Sequence, residues 1–163
     1  MAKPVEELVV RKSVRVQLPV ERAFALFVEQ METWWPPEHQ IGDTPFEVLV
    51  VEPRVGGRWY ERDRDGRECS WGNVVAWDPP RKVTLSWHLG PDWKFNPDPA
   101  AASDVEIRFT PDGPGATVVE LEHTRLERHG AGFEQMRAML DSPRAWGYTL
   151  GEFARVANGE VKA

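Results

Sequence analysis

The chain has 163 residues, of which 41% are hydrophobic and 28% are charged, and its formal net charge is −6. This length suits one domain with its own core, and the acidic balance argues against a protein that binds the nucleic-acid backbone. No apolar run approaches the roughly 20 residues of a membrane span, and the N-terminus lacks the apolar stretch of a signal peptide. We therefore expect one cytoplasmic domain over residues 1–163, with its core at about 8–158 and with no nucleic-acid or membrane partner.

The N-terminal quarter predicts a strand followed by a helix. Residues 8–18 alternate between apolar and polar side chains, which is the period of a half-buried strand. Pro19 suits the start of a helix. Apolar residues then recur at spacings of three and four, at Ala23, Phe24, Phe27 and Met31. The sequence Trp34-Trp35-Pro36-Pro37 is expected to end this helix, because a residue before proline avoids the helical conformation.

The middle of the chain predicts an antiparallel meander of six strands. Turn signals such as Asp65-Gly66 and Asp78-Pro79-Pro80 separate short segments rich in apolar and β-branched residues. The predicted strands are 46–52, 58–62, 68–77, 82–89, 105–109 and 117–123. A loop rich in proline and alanine, residues 90–102, interrupts the meander.

The C-terminal part predicts two helices. A short segment carries Phe133, Met136, Met139 and Leu140 on one face. Ser142-Pro143 has an N-cap residue followed by proline at the first helical position, and an apolar face then runs to Asn158-Gly159. This helix of about 16 residues would be roughly 24 Å long. The element order predicts an α+β fold in which a curved antiparallel sheet wraps around a long C-terminal helix.

Several motifs occur in the order typical of one known family. They are Pro53-Arg54-Val55-Gly56-Gly57-Arg58-Trp59, Asp65-Gly66, Gly72-Asn73-Val74-Val75, Pro79-Pro80-Arg81-Lys82-Val83 and Ser86-Trp87. A strand with a histidine and a helix with a tryptophan follow at 121–124 and 145–150. Over about residues 8–158 the chain resembles the activator of heat-shock-protein-90 ATPase homologue-like branch of the SRPBCC (START-like, helix-grip) superfamily. The resemblance implies a helix-grip fold, and family members include apolar-ligand binders, cyclases and stress-linked proteins.

Eight tryptophans in such a fold favour a pocket between the sheet and the long helix. The predicted ligand-binding residues are Trp34, Trp35, Trp59, Tyr60, Trp71, Trp87, His123, Phe133, Met136, Trp146, Leu150 and Phe153. The alternative interpretation is that these rings only fill the core. Trp77 and Trp93 are assigned no pocket role.

Histidines and carboxylates supply the remaining candidates for chemistry. His123 shares a strand face with apolar neighbours, so it is expected to serve as a polar anchor, as a general acid or base, or as a satisfied structural histidine. His88 has the opposite facing and is expected to be exposed. The run Glu61-Arg62-Asp63-Arg64-Asp65 is expected to be a solvated hairpin tip. No histidine spacing is that of metal ligands, and Cys69 is expected to be inert, so we predict no metal and no cofactor.

The leading functional interpretation is the binding of a small apolar molecule whose polar end is oriented by His123 or Tyr60. A cyclase- or dehydratase-type enzyme that uses the same pocket is an alternative. A third interpretation is a chaperone- or stress-linked interaction module with an exposed Trp34-Trp35 patch, so a chaperone and a homodimer partner stay open. The aromatic loop 90–102 is interpreted either as a lid over the pocket mouth or as a rigid connection.

Overall fold

A curved antiparallel sheet and three helices make up the described part of the chain, which in this computed structural model is residues 9–36, 39 and 44–159. The strands are β1 (Val10–Val16), β2 (Phe46–Val51), β3 (Arg58–Asp63), β4 (Glu68–Asp78), β5 (Lys82–Trp87), β6 (Ser103–Pro111) and β7 (Thr117–Thr124). The helices are α1 (Val20–Glu29), α2 (Phe133–Leu140) and α3 (Trp146–Ala157). The predicted strand start at Leu8 and part of the predicted helix stop, Pro37, lie outside the described residues. No helix in these ranges is long and apolar enough to cross a membrane.

The sheet has the strand order β1-β7-β6-β5-β4-β3-β2, so the six-strand meander is confirmed and β1 joins its far end. Val10 lies opposite His123 and Val16 lies opposite Thr117 in the β1–β7 pair. The segment that contains α1 carries the chain from β1 at one edge to β2 at the other. The sheet curls into a half-barrel with helices on its concave side, which confirms the α+β helix-grip fold.

Helix α1 lies where the apolar spacing predicts it. It begins after Pro19, whose carbonyl accepts the Ala23 N–H at 2.9 Å, and it ends at Glu29, just before a short 3₁₀ turn at Met31–Thr33. Its buried face includes Phe27, which meets Phe109 of β6 and Phe153 of α3 with ring centroids 5.7 and 5.2 Å apart. Because α1 packs against both the sheet and α3, it closes one half of the concave space.

Helix α3 is shorter than predicted and begins at Trp146 instead of Pro143. Its 12 residues span about 18 Å at 1.5 Å per residue. The Ser142 hydroxyl accepts the Arg144 N–H at 3.4 Å, and the Ser142 carbonyl accepts the Ala145 N–H at 3.2 Å. Residues 142–145 therefore form a turn. Ser142 accepts hydrogen bonds within this turn and does not cap the N-terminus of α3.

Two predictions of exposure are wrong. His88 is only 4% exposed, because loop 90–102 folds back over it: the Phe95 ring stacks on the imidazole at 5.3 Å and the Asn96 carbonyl lies 2.7 Å from Nδ1. At the presumed solvated tip, Glu61 and Asp63 are 3% and 8% exposed. Glu61 is buried because strand alternation turns it to the concave face. Only the later residues of that run are solvent-exposed.

Candidate functional site

A cavity of about 330 Å³ opens between the concave face of the sheet and the facing ends of α2 and α3. Four indoles from separate elements form its walls: Trp35 after α1, Trp71 on β4, Trp87 at the end of β5 and Trp146 at the start of α3. The remaining lining residues are His39, Trp93, Met139, Leu140, Arg144, Ala145 and Thr149. Most of this surface is apolar, which suits an apolar ligand.

The four wall indoles contact one another, three pairs edge to face and the pair Trp71–Trp87 tilted. Trp71 lies 5.2 Å, centroid to centroid, from both Trp35 and Trp87. Trp146 closes the ring at 5.9 Å from Trp35 and 5.5 Å from Trp87. Behind the wall, Trp59 stacks on Trp71 at 5.4 Å with an interplanar angle of 24°. Tilted aromatic neighbours at these distances stabilise each other beyond their buried area, so the walls are preorganised.

A close approach of two strands brings Trp71 next to Trp87. Gly72 follows Trp71 on β4, and a Cβ built on it would lie 1.8 Å from the Ser86 carbonyl oxygen. Only glycine allows the backbones of β4 and β5 to come this close. The register of β3 and β4 also shifts here, between Trp59 and Tyr60. The pocket wall therefore depends on a residue that has no side chain.

The indole N–H groups of the cluster are satisfied unevenly. Trp71 donates to the Glu61 carboxylate at 3.3 Å, and Trp146 donates to His123 Nδ1 at 3.0 Å. The buried Nε1 atoms of Trp35 and Trp87 have no acceptor among the described residues. A buried donor without an acceptor costs about 1–3 kcal/mol, so packing must hold these two rings in place.

His123 lies behind the pocket wall as a neutral, fully hydrogen-bonded residue. Because an indole N–H can only donate, Nδ1 must accept and Nε2 carries the proton, which it donates to Ser103 Oγ at 2.7 Å. Ser103 then donates to His129 Nε2 at 2.8 Å. Burial, and secondly the nearby charge of His129, lowers the His123 pKa to about 3. Both ring nitrogens thus serve the protein, and this geometry favours the structural interpretation of His123 over an acid–base role.

Polar groups lie on one side of the cavity. Thr149 Oγ1 donates to the Ala145 carbonyl at 3.1 Å and lies 3.1 Å from His39 Nδ1. The His39 ring is edge-on to Trp35 and to Tyr148, at 6.3 and 5.8 Å. Arg144, in the turn before α3, adds a guanidinium to the lining. Within the described ranges no three His, Cys, Asp or Glu side chains are grouped so as to hold a metal.

Four of the twelve predicted site residues line this cavity: Trp35, Trp71, Trp87 and Trp146. The other eight do not: Trp34, Trp59, Tyr60, His123, Phe133, Met136, Leu150 and Phe153. Trp34 and Phe153 pack with Phe27 in the core instead, and strand alternation puts Tyr60 on the other face, under the Arg58 guanidinium at 4.1 Å. The proposed exposed Trp34-Trp35 patch is wrong, because both rings are buried.

Trp93 is a pocket residue that the sequence interpretation left out. It is 41% exposed, and its ring centroid lies 6.4 Å from that of Trp87. Its backbone has φ 63°, a left-handed conformation that few residues other than glycine adopt. The loop is tied at its base by the pairing of Leu89 with Phe95. His39, Arg144 and Thr149 were also missed, although Thr149 follows Trp146 at the helical spacing of three.

Comparison with known proteins identifies one matching family and several solved structures that resemble this chain. The family model described as Activator of Hsp90 ATPase homolog 1-like protein matches residues 17–156. The anthrahydroquino-γ-pyrone synthase Txn09 is 42% identical, with 91% of this chain and 96% of Txn09 covered at a TM-score of 0.64. CalC, a self-sacrificing resistance protein from Micromonospora echinospora, is 28% identical, with 93% and 95% covered at a TM-score of 0.68. Among curated proteins, none matches.

Proposed function

Because the chain belongs to the family of Activator of Hsp90 ATPase homolog 1-like proteins, a helix-grip family, we propose that it binds a small, flat, mostly apolar molecule in the tryptophan-lined cavity. The observation that carries this proposal is the open space enclosed by four buried indoles. Its volume of about 330 Å³ is near the lower end of ligand pockets, which measure about 300–1,000 Å³. Flat aromatic walls favour a flat aromatic ligand, because offset and edge contacts between rings are then available.

The likeness to Txn09 supports a fused-ring aromatic ligand. Txn09 is by its name a synthase of an anthrahydroquino-γ-pyrone, and it was solved in complex with a ligand. Because Txn09 is 42% identical over most of both chains, we infer that this protein binds a related class of ligand. A molecule of two or three fused rings would use the indole walls for its faces and edges, and the polar side of the cavity for its oxygen substituents.

Native mass spectrometry of the protein purified from its own cells is the direct test. A stoichiometric adduct that is lost on denaturation would support the proposal, and the adduct mass would indicate the ligand class. In parallel, the neutral probe anthraquinone-2-carboxamide is titrated and binding is followed by calorimetry. We expect Trp87→Phe to weaken binding and Trp77→Phe to leave it unchanged, because Trp77 packs on Phe24, away from the cavity. No adduct and no probe binding would contradict the proposal.

A ring-closing enzyme that uses the same cavity is the second candidate, and the identity to Txn09 favours it. Closing an oxygen heterocycle requires removal of a hydroxyl proton. His39 and Thr149 line the cavity with exchangeable protons, whereas His123 does not reach it. Incubation with an anthrahydroquinone that carries an alkynyl ketone beside the hydroxyl should yield an isomer of unchanged mass that separates by chromatography. The hydroxyl oxygen adds to the alkyne carbon farther from the ketone, one C–C π bond is lost, and the hydroxyl proton ends on the carbon next to the ketone. We expect His39→Gln to reduce turnover more than probe binding, and equal losses of both would contradict a catalytic role.

A further inference from the structure

The cavity lining carries positive charge and no negative charge among the described residues. Arg144 is the one lining residue, among those the structure describes, that carries a permanent charge at neutral pH. It lies in a protein whose formal net charge is −6. A cation on a mostly apolar cavity of an acidic protein points to a ligand with a negative charge.

Arg144 has no counter-ion within the described ranges. The carboxylate closest to it in the sequence is Asp141, and that group already forms an ion pair with Lys12 of β1 at 3.1 Å. Lys12 also donates to the Asp141 carbonyl at 3.1 Å, so Asp141 is paired with β1 through its side chain and its backbone. The Arg144 side chain makes no hydrogen bond or ion pair with the described residues, and Arg144 is an exposed residue that lines the cavity. Its guanidinium can offer five N–H donors to a ligand.

The start of helix α3 adds a positive potential at the same place. Ala145 and Trp146, the N-cap and the first residue of α3, both line the cavity. The first N–H groups of a helix have no acceptor within the helix, and its N-terminus carries a partial positive charge. The first turn of α3 contains no acidic residue, and no side chain caps it. Two independent sources of positive potential therefore meet at the polar side of the cavity.

We propose that the cavity selects flat aromatic molecules that carry an anionic oxygen substituent, a carboxylate or an ionised phenol, and that Arg144 is the residue that determines this selectivity. The inference rests on the proposed ligand-binding function and names its ligand class. The ring system would lie against the tryptophan walls, and the anionic oxygen would face Arg144 and the start of α3. A guanidinium is suited to this task because it can donate two parallel hydrogen bonds to a carboxylate.

Two isosteric probes test the selectivity. Anthraquinone-2-carboxylate and anthraquinone-2-carboxamide have the same size and ring system and differ by one charge. We expect the wild-type protein to bind the carboxylate about five- to tenfold more tightly than the amide at low salt. This preference should shrink as salt is raised, because the pair is exposed at the rim. An unchanged preference in high salt or equal affinity for the two probes would overturn the inference.

Substitutions assign the selectivity to Arg144. In Arg144→Met the carboxylate should lose its advantage while the amide binds as before, and Arg144→Lys should keep most of the advantage. Arg64→Met is the matched control, because Arg64 is an exposed arginine in the turn between β3 and β4 that does not line the cavity, and its loss changes the net charge equally. An unchanged ratio of the two affinities in Arg144→Met would overturn the inference but leave ligand binding standing. If neither probe binds the wild-type protein, the proposed function itself fails.

Discussion

The concave side of the sheet has two halves with similar side chains and opposite outcomes. In the sealed half, Phe27, Trp34 and Phe153 contact one another with centroids 4.7–5.2 Å apart, and none of the three lines the cavity. In the open half, the four wall indoles keep similar spacings of 5.2–5.9 Å around an open space. Aromatic content alone therefore does not determine where a helix-grip protein holds a pocket.

The difference lies in which helices reach each half. Helix α1 inserts Phe27 between the sheet and α3, so the sealed half has a third layer of side chains. On the open side, α2 ends at Leu140 and α3 begins only at Trp146, and the turn between them crosses the mouth without filling it. The hydrogen bonds differ as well: Trp34 donates to the Leu26 carbonyl at 3.1 Å, whereas Trp35 and Trp87 have no acceptor among the described residues.

The largest expected effect comes from emptying the sealed half. Phe153→Ala removes a fully buried ring and should lower the free energy of unfolding by about 3–5 kcal/mol. Chemical denaturation of the variant and the wild type measures this loss. Phe153→Leu keeps most of the volume and should cost clearly less. A loss below about 1 kcal/mol for Phe153→Ala would mean that this half is as loosely filled as the open one.

The strand contact behind the pocket wall comes next. Gly72→Ala would force a Cβ against the Ser86 carbonyl, so we expect a loss of about 1–3 kcal/mol from the strain and weaker probe binding, because Trp71 and Trp87 must move apart. Gly151→Ala in α3 is the matched control, since a Cβ there meets nothing within 4 Å. That variant should be stabilised by up to about 1 kcal/mol. Equal effects of the two substitutions would contradict the close approach.

The histidine behind the open half should make stability depend on pH. The pKa of His123 is about 3 in the folded protein against 6.5 ordinarily, so between these values the unfolded chain binds a proton that the folded protein does not. Stability should therefore fall as the pH drops from about 6.5 toward 3, by about 1.4 kcal/mol per pH unit. Denaturation at a series of pH values measures this slope.

A substitution identifies the source of that slope. In His123→Asn the slope of the free energy of unfolding against pH should lose the contribution of one proton. This holds whatever the substitution does to stability at neutral pH. Burial, and then the charge of His88, also lowers the pKa of His129, so His129→Gln should remove a further part with the same sign. A His123→Asn variant with the wild-type slope would show that His123 is not held neutral.

The smallest effect on stability, and a clear one on binding, is expected at the mouth. Trp93→Ala removes a ring that is 41% exposed, so stability should change by no more than about 0.5 kcal/mol, while probe affinity should fall severalfold. Val55→Ala is the control, because Val55 is an exposed apolar residue, 65% accessible, that lies outside the cavity lining. Limited proteolysis with and without probe then separates the two interpretations of the loop: a lid becomes protected, and a rigid connection does not.

Much of the fold follows from local patterns in the sequence. The alternation of Val83, Leu85 and Trp87 predicts β5 and its buried face, because successive strand residues point to opposite sides of a sheet. The spacing of Phe24 and Phe27 predicts the buried face of α1 for the corresponding helical reason. The strand order of the meander could also be predicted from the sequence, because short turns such as Asp65-Gly66 force neighbouring segments to pair.

The lining of the cavity could be predicted from the sequence only in part. Trp71, Trp87 and Trp146 could be identified from strand and helix faces. Phe153 was predicted to line the pocket and lies in the core, whereas Trp93 was given no pocket role and lines the cavity. A helix face indicates that a residue points inward, and it does not indicate whether another element fills the space in front of it. Trp93 lies in a loop without periodicity, so no pattern could place its ring beside Trp87.

The sequence by itself determined the elements, their order and the concave face on which the tryptophans gather, because these depend on neighbours within a few residues along the chain. Tertiary structure alone decided that α3 starts at Trp146, where the indole meets His123 at 3.0 Å, and that His88 and Glu61 are buried. It also decided which half of the concave side stays open. These outcomes depend on groups distant in sequence competing for the same hydrogen bonds and the same volume, and no local pattern encodes the result of that competition.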